Sequence, residues 1–310
     1  MPSIFHPVRP IHWTWITLSG SDALDFLHRI TTVHVKDLAL GTGKRGCILN
    51  PQGKIRAYFT LWHYAPDDFG FEFDAGAEEE LKKSLLAAID QYTFFEKITL
   101  ADTTGTLDSR WIFLEPGETF GPASVQPGHT LAIDEEIRIC HQGELDFGRS
   151  WITVWGRPER LAQWLERSVS HPKVLGLEEI EEWRISSLRP RASVEITENM
   201  IPLELGLRDS ISENKGCYPG QEVIEKIISL GAPSRRLAKI QGKGHAPVPG
   251  EKIFNLAEPP GEVGHVTSVT HFDGSFTALG LIRKIHAKEG LQIKLSSGGE
   301  GAITQLSSYA

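Results

Sequence analysis

Cysteine is scarce in this chain: Cys47, Cys140 and Cys217 are the three in 310 residues. An odd number at wide spacing, with no CxxC pair, excludes a disulfide framework and a zinc site built from cysteine alone, and suits a reduced compartment. Positive charge is also in short supply, with 32 Lys and Arg against 40 Asp and Glu for a net charge of −8. That balance excludes a broad phosphate-tracking surface and a basic membrane-surface helix, so neither nucleic acid nor membrane is an expected partner. No apolar run approaches the roughly 18 residues of a membrane span, and Met1–Pro10 lacks a signal peptide's apolar core. A cytoplasmic location is expected. The motifs GxxxxGK[ST], GxSxG and HExxH are absent, which leaves phosphate-loop, serine-hydrolase and zincin chemistries without an anchor.

What is present is ordinary globular composition, 40% hydrophobic and 23% charged. At about 150 residues per domain, this length implies two domains. Ser19–Ser21 offers helix caps ahead of Leu24, Phe26, Leu27 and Ile30 at helical spacing. Arg45–Leu49 and Lys54–Tyr64 read as strands, with Asn50-Pro51-Gln52-Gly53 between them as a turn, which makes a hairpin. Ala77–Asp90 and the stretch after Pro158 are amphipathic helices, and Thr93–Leu100, Arg110–Leu114, Ile137–Cys140 and Trp151–Trp155 read as strands. Glu178, Glu179, Glu181 and Glu182 mark the acidic opening turn of another helix. Beyond Gly231-Ala232-Pro233 no helix is expected, and short β-type runs alternate with turns. The division expected is therefore residues 1–230, mixed α and β, and residues 231–310, all β.

Gly41-Thr42-Gly43-Lys44-Arg45-Gly46 satisfies GxGxxG, but a strand follows it where a dinucleotide fingerprint needs a helix, so it reads as a glycine-rich turn. His265 and His271 bracket a strand-like run and carry no ligand spacing. The informative segment is Asn214-Lys215-Gly216-Cys217-Tyr218-Pro219-Gly220-Gln221-Glu222-Val223-Ile224. Its glycines permit a tight bend, and Val223, Ile224, Ile227 and Ile228 lie at helical spacing, which puts Cys217 on a turn leading into a helix. The helix dipole and Lys215 there favour a thiolate, and Glu222 opposes it. On the residues alone, a reactive thiol and a buried inert cysteine both stay open.

This segment resembles the KGCYxGQE signature of the YgfZ family, folate-binding proteins of iron–sulfur cluster assembly related to the T-protein of the glycine cleavage system. Gly20-Ser21-Asp22-Ala23 to Thr32 resembles the family's first helix, Asn50–Ile55 its hairpin, and Ile201-Pro202-Leu203-Glu204-Leu205-Gly206-Leu207 its "IPxExGL" stretch. Gly261–Ser268 with Ala278-Leu279-Gly280 is similar to the C-terminal barrel of the T-proteins, so the likeness covers most of the chain. The resemblance implies an α+β fold, two subdomains plus a C-terminal antiparallel β-barrel around a central folate-type pocket, with tetrahydrofolate or a derivative as ligand. It places Trp13, Trp183 and Glu204 among the ligand contacts. It makes Cys217 the functional thiol, supported by Lys215 within the motif that includes Gly216, Tyr218, Gly220, Gln221 and Glu222.

Two departures from the relatives bear on function. The hairpin reads Gln52-Gly53-Lys54-Ile55-Arg56-Ala57-Tyr58, without the aspartate that assists transfer in T-proteins. In Arg184-Ile185-Ser186-Ser187-Leu188, Ser186 stands where relatives carry the glutamate that pairs with the pterin, so the charge-assisted hydrogen bond is lost. The expectation is a non-enzymatic factor that binds folate and helps mature iron–sulfur enzymes, in bacteria notably radical-SAM enzymes that modify tRNA. Its partners would be iron–sulfur client or carrier proteins, with Cys217 as redox partner or transient ligand, since one cysteine cannot hold a cluster alone. The alternatives are a tetrahydrofolate-dependent one-carbon transferase or demethylase, which needs a replacement acid among Asp22, Asp25, Glu204 and Glu222, and a purely structural protein that keeps the pocket as a relic.

Overall fold

A computed structural model describes residues 3–5, 15–73, 78–118, 130–132, 137–144, 149–168 and 173–309. In chain order the strands and helices begin β1 (Ser3–Phe5), β2 (Trp15–Ser19), α1 (Ala23–Ile30), β3 (Gly43–Leu49), β4 (Ile55–Ala65), β5 (Asp68–Glu72) and α2 (Glu78–Tyr92). They continue β6 (Thr99–Asp102), β7 (Asp108–Leu114), β8 (Thr130–Ala132), β9 (Ile137–Glu144), β10 (Ser150–Gly156), α3 (Pro158–Ser168), β11 (Lys173–Leu175) and α4 (Leu177–Ser186). The last are α5 (Gln221–Leu230), β12 (Arg235–Lys243), β13 (Lys252–Asn255), β14 (Glu262–Phe272), β15 (Ser275–Arg283), β16 (Gln292–Leu295) and β17 (Glu300–Leu306). The chain forms two compact units: Met1–Asn50, Arg56–Leu177 and Asp209–Pro219 make the first, and Pro51–Ile55, Glu178–Arg208 and Gly220–Ala310 the second.

The first unit holds two sheets, ordered β11-β1-β7-β10-β9-β8 and β3-β4-β5-β2-β6. On the first sheet Ile112, Ile137, Ile139, Ile152 and Val154 form an apolar face that Leu161 of α3 covers. Burying each such side chain stabilises by about 1.5–3 kcal/mol. The second sheet presents β4, buried along most of its length, and α1 contributes Ala23, Phe26, Leu27 and Ile30 to the core. Those four recur at helical spacing, so one face of α1 is apolar while Asp25 and Arg29 stay in water. The helix stops at Thr31, whose N–H and hydroxyl both donate to the Leu27 carbonyl.

Sequence reading and structure part at Thr93–Leu100, where a strand was expected. The strand begins only at Thr99, because the Glu96 carboxylate accepts the N–H groups of Phe94 and Phe95 and curls the preceding residues into a loop. Phe94 and Phe95 are consequently 70% and 97% exposed. Strand β5, which pairs antiparallel with both β4 and β2, was not anticipated; Pro66-Asp67, with Asp67 at φ 60°, reverses the chain before it.

In the second unit, β12-β15-β14-β13-β16-β17 close into an antiparallel barrel, since β17 pairs back onto β12. Closure leaves no unpaired edge, and Ile240, Ile253, Val266, Ala278, Ile293 and Ile303 fill the interior. The turn before β4 also belongs to this unit. Gly53 has φ +73°, and a Cβ there would come within 3.0 Å of Val223 on α5, so only glycine lets the turn seat against that helix. Replacing Gly53 with alanine is expected to destabilise the protein by about 1–3 kcal/mol, read as a lower urea midpoint.

Candidate functional site

Segment 209–219 is anchored to the first unit through side chains far earlier in the chain. Thr32 is central: its hydroxyl donates to the Ser210 carbonyl (2.6 Å) and accepts the Cys47 N–H (2.8 Å), and its own carbonyl accepts the Ser212 N–H (2.9 Å). The Ser212 hydroxyl accepts from the His34 N–H at 2.9 Å and from Lys44 Nζ at 3.0 Å. Held by these bonds, the chain carries Lys215 to the C-terminal end of α1. There its ammonium donates to the carbonyls of His28 (2.5 Å) and Thr31 (2.6 Å). Both oxygens belong to the negative end of the helix dipole, where a cation is favoured. The ammonium also lies 4.8 Å from the centre of the Tyr218 ring, a cation–π contact.

Lys215 is only 7% exposed, whereas Cys217, two residues on, is exposed. Burial lowers the Lys215 pKa from 10.5 to about 8, an effect that nearby Cys217 opposes. The native protein therefore binds fewer protons than the unfolded chain between about pH 8 and 10.5, and this group makes stability rise with pH across that window. Below pH 8 the cost of burying the charge is fully present. Denaturation of wild type and Lys215→Met at pH 7.5 and 9.5 is expected to show a gain with pH in the wild type that the variant lacks.

The other two thiols have the opposite environment. Burial pushes Cys47 up to about 12, and Cys140, packed among Trp15, Trp62 and Trp155, well above the ordinary thiol range. Both are protonated and shielded at neutral pH, so Cys217 is the thiol that solvent reaches.

Downstream of the cysteine, Gly220 takes the left-handed conformation (φ 80°) and caps α5, with Gln221 half-buried, Glu222 exposed in the first turn and Ile224 buried. The sequence-predicted ligand contacts have different fates. Trp13 lies outside the described residues. Trp183 is half-buried on α4. Glu204 is 1% exposed, and its carboxylate accepts from Ser234 Oγ (2.8 Å), Arg235 Nε (3.0 Å) and Nη2 (2.9 Å), and the Ile201 N–H (3.2 Å). Ser186 closes α4, its carbonyl accepting from Lys239 Nζ at 2.6 Å.

A second buried carboxylate, Glu195, escaped sequence reasoning. It accepts from Ser268 Oγ (2.5 Å), Arg184 Nη1 (3.3 Å) and the Arg191 N–H (2.9 Å), and Arg184 also pairs with Glu181 at 2.8 Å. This network fastens the end of α4 to β14. Its members come from positions 181 to 268, so no local pattern announces it.

No protein-family model matches the chain. It is 24% identical over 311 residues to the tRNA-modifying protein YgfZ of Serratia proteamaculans, covering 95% of this chain and 89% of that one. It is also 24% identical over 305 residues to the tRNA-modifying protein YgfZ of Photobacterium profundum, covering 95% and 88%. The glycine cleavage system aminomethyltransferase T of Bartonella henselae superposes with a TM-score of 0.80 at 16% identity, over 98% of this chain and 85% of that one. The chain is YgfZ/GcvT-like. The expected α+β architecture with a C-terminal antiparallel barrel is the fold of this YgfZ/GcvT-like protein. Among its described residues no helix is long and apolar enough to cross a membrane, and no group of three or more His, Cys, Asp or Glu side chains is arranged to hold a metal ion.

Proposed function

We propose that this protein is a YgfZ-type factor of the cytoplasm that assists maturation of iron–sulfur enzymes, among them those that modify tRNA, through the thiol of Cys217. The observation that carries the reading is the contrast among the three cysteines: two buried, and one exposed on a turn anchored beside a buried cation. An exposed sulfur can be offered to a client or carrier protein, and it can be released again because no group among the described residues completes a cluster site around it. Lys215 acts on the sulfur through its field, since its hydrogen bonds go to α1.

A folate-type ligand belongs to the same reading, and the residues fit it poorly. Ser186 offers a hydroxyl where a carboxylate would pair with the pterin, and the neighbouring buried carboxylates, Glu195 and Glu204, are occupied by Arg184 and Arg235. Weak binding is expected, resting on aromatic surface such as Trp183 and, by resemblance, Trp13.

The transferase reading loses ground on its acids. Asp22 accepts the Lys97 N–H at 2.7 Å, Asp25 pairs with Lys36 at 2.7 Å and Glu204 is held by Arg235, which leaves Glu222 on the exposed first turn of α5. Two assays on the purified protein separate the readings. Tetrahydrofolate is expected to quench tryptophan fluorescence only at high micromolar concentration, and no aminomethyl or methyl donor should be turned over. Turnover that survives Cys217→Ala would establish the transferase and end the assembly-factor reading.

A further inference from the structure

The chain between α2 and β6 holds two adjacent phenylalanines in water, Phe94 at 70% exposure and Phe95 at 97%. Their backbone is fixed. The Glu96 carboxylate accepts both N–H groups, at 2.7 and 3.1 Å, and pairs with Arg29 of α1. Asp22 accepts the Lys97 N–H at 2.7 Å, and the Thr93 hydroxyl donates to the Ile89 carbonyl at 2.8 Å. Two such rings present roughly 300 Å² of contiguous apolar surface, the size of the largest patch on many monomers.

The same stretch runs into an open sheet edge. Strand β6 ends its sheet with β2 as its strand partner, and Thr99, Leu100, Ala101 and Asp102 are all exposed. The register settles which backbone groups are unused. The Thr103 N–H donates to the Trp15 carbonyl, so in this antiparallel pairing positions 99, 101 and 103 turn toward β2. Leu100 and Asp102 therefore turn their N–H and C=O groups outward, where no described residue meets them. Natural edges are guarded by lysine, proline or a bulge. Here the sequence is Thr-Leu-Ala-Asp, the register with β2 is unbroken, and the one charge, Asp102, is paired with Lys82.

Charge around this edge selects the occupant. Arg29 and Lys82 are neutralised by Glu96 and Asp102. That leaves Lys97 outnumbered by Asp22, by Asp90, whose carbonyl accepts the Thr93 N–H, and by Asp67, whose carbonyl accepts the N–H of Gly20 beside Lys97. A second copy would set these carboxylates against their own kind, on an apolar footprint well short of the about 800 Å² per partner of a stable complex. A basic extended segment meets neither objection, since main-chain hydrogen bonds along the edge hold it. We propose that β6, Phe94 and Phe95 form a docking surface on which a partner protein adds an extended segment, rich in Lys or Arg and apolar residues, as a further strand of the sheet. This surface is independent of the reading of Cys217.

Two short synthetic peptides, one alternating Val and Lys and the other Val and Glu, probe the surface by fluorescence anisotropy at low salt, with hydrogen exchange followed on the same samples. The Val-Lys peptide is expected to bind about tenfold or more tighter than Val-Glu, and to slow exchange of the Leu100 and Asp102 amides. The double variant Phe94→Ser/Phe95→Ser, whose melting temperature should match wild type, is expected to weaken that binding about tenfold. Leu100→Pro removes an outward N–H, leaves the bonds to β2 in place, and should weaken it as well. No binding of Val-Lys, equal affinity for both peptides, or affinity unchanged in the double variant would overturn the proposal. So would a bound peptide that leaves Leu100 and Asp102 unprotected. A dimer in sedimentation, with those amides already protected before any peptide is added, would give the edge to a second copy instead.

Discussion

Supplied to cells that lack this protein, Cys217→Ala is expected to leave the activity of its iron–sulfur client enzymes near the level of the deletion, while wild type restores it. The effect should be close to complete, because the other two thiols cannot substitute. Cys47 would have to lose its proton against a pKa of about 12, and Cys140 is enclosed by aromatic side chains. The fold should be nearly untouched. Cys217 is exposed, and surface substitutions away from special features usually stay within about 0.5 kcal/mol. Measuring client activity and melting temperature on the same variant separates loss of the thiol from loss of the fold.

Glu195→Ala is expected to have the largest effect on stability, about 3–5 kcal/mol, because it removes one of the two carboxylates on a buried guanidinium and orphans a hydroxyl and a backbone N–H. The Arg184 side chain is 10% exposed and that of Glu195 is fully enclosed, so little water can replace the lost carboxylate. Glu195→Gln keeps the shape and an acceptor oxygen, and should cost clearly less. Glu181→Ala removes a carboxylate that is 31% exposed and should cost under about 1 kcal/mol. Urea unfolding of the three variants gives the order; equal losses would mean that the network is not held by the buried carboxylate.

Legibility in the sequence followed the range of the interactions. The hairpin turn, α1, α5 and the barrel strands are written in local signals: Pro51 and Gly53 at a reversal, apolar residues at helical spacing, and short β-type runs separated by Gly and Asp turns. The cysteine motif was equally visible, since its glycines and the helix behind it are contiguous. What the sequence hid were long-range contacts. Lys215 reads locally as a neighbour of Cys217, but its hydrogen bonds go to the end of α1, 184 and 187 positions away. The Thr93–Leu100 stretch misled because Phe94 and Phe95 carry strand propensity, while the neighbouring Glu96 side chain captures the N–H groups a strand would have used.

The claim on which function depends is that Cys217 alone is open to chemistry in the folded protein. Titrating the native, reduced protein with a small disulfide reagent tests it directly. One thiol should react at once and map to Cys217, with Cys47 and Cys140 reacting only after denaturation. A native protein that yields no fast thiol, or whose fast thiol is Cys47 or Cys140, would contradict the account.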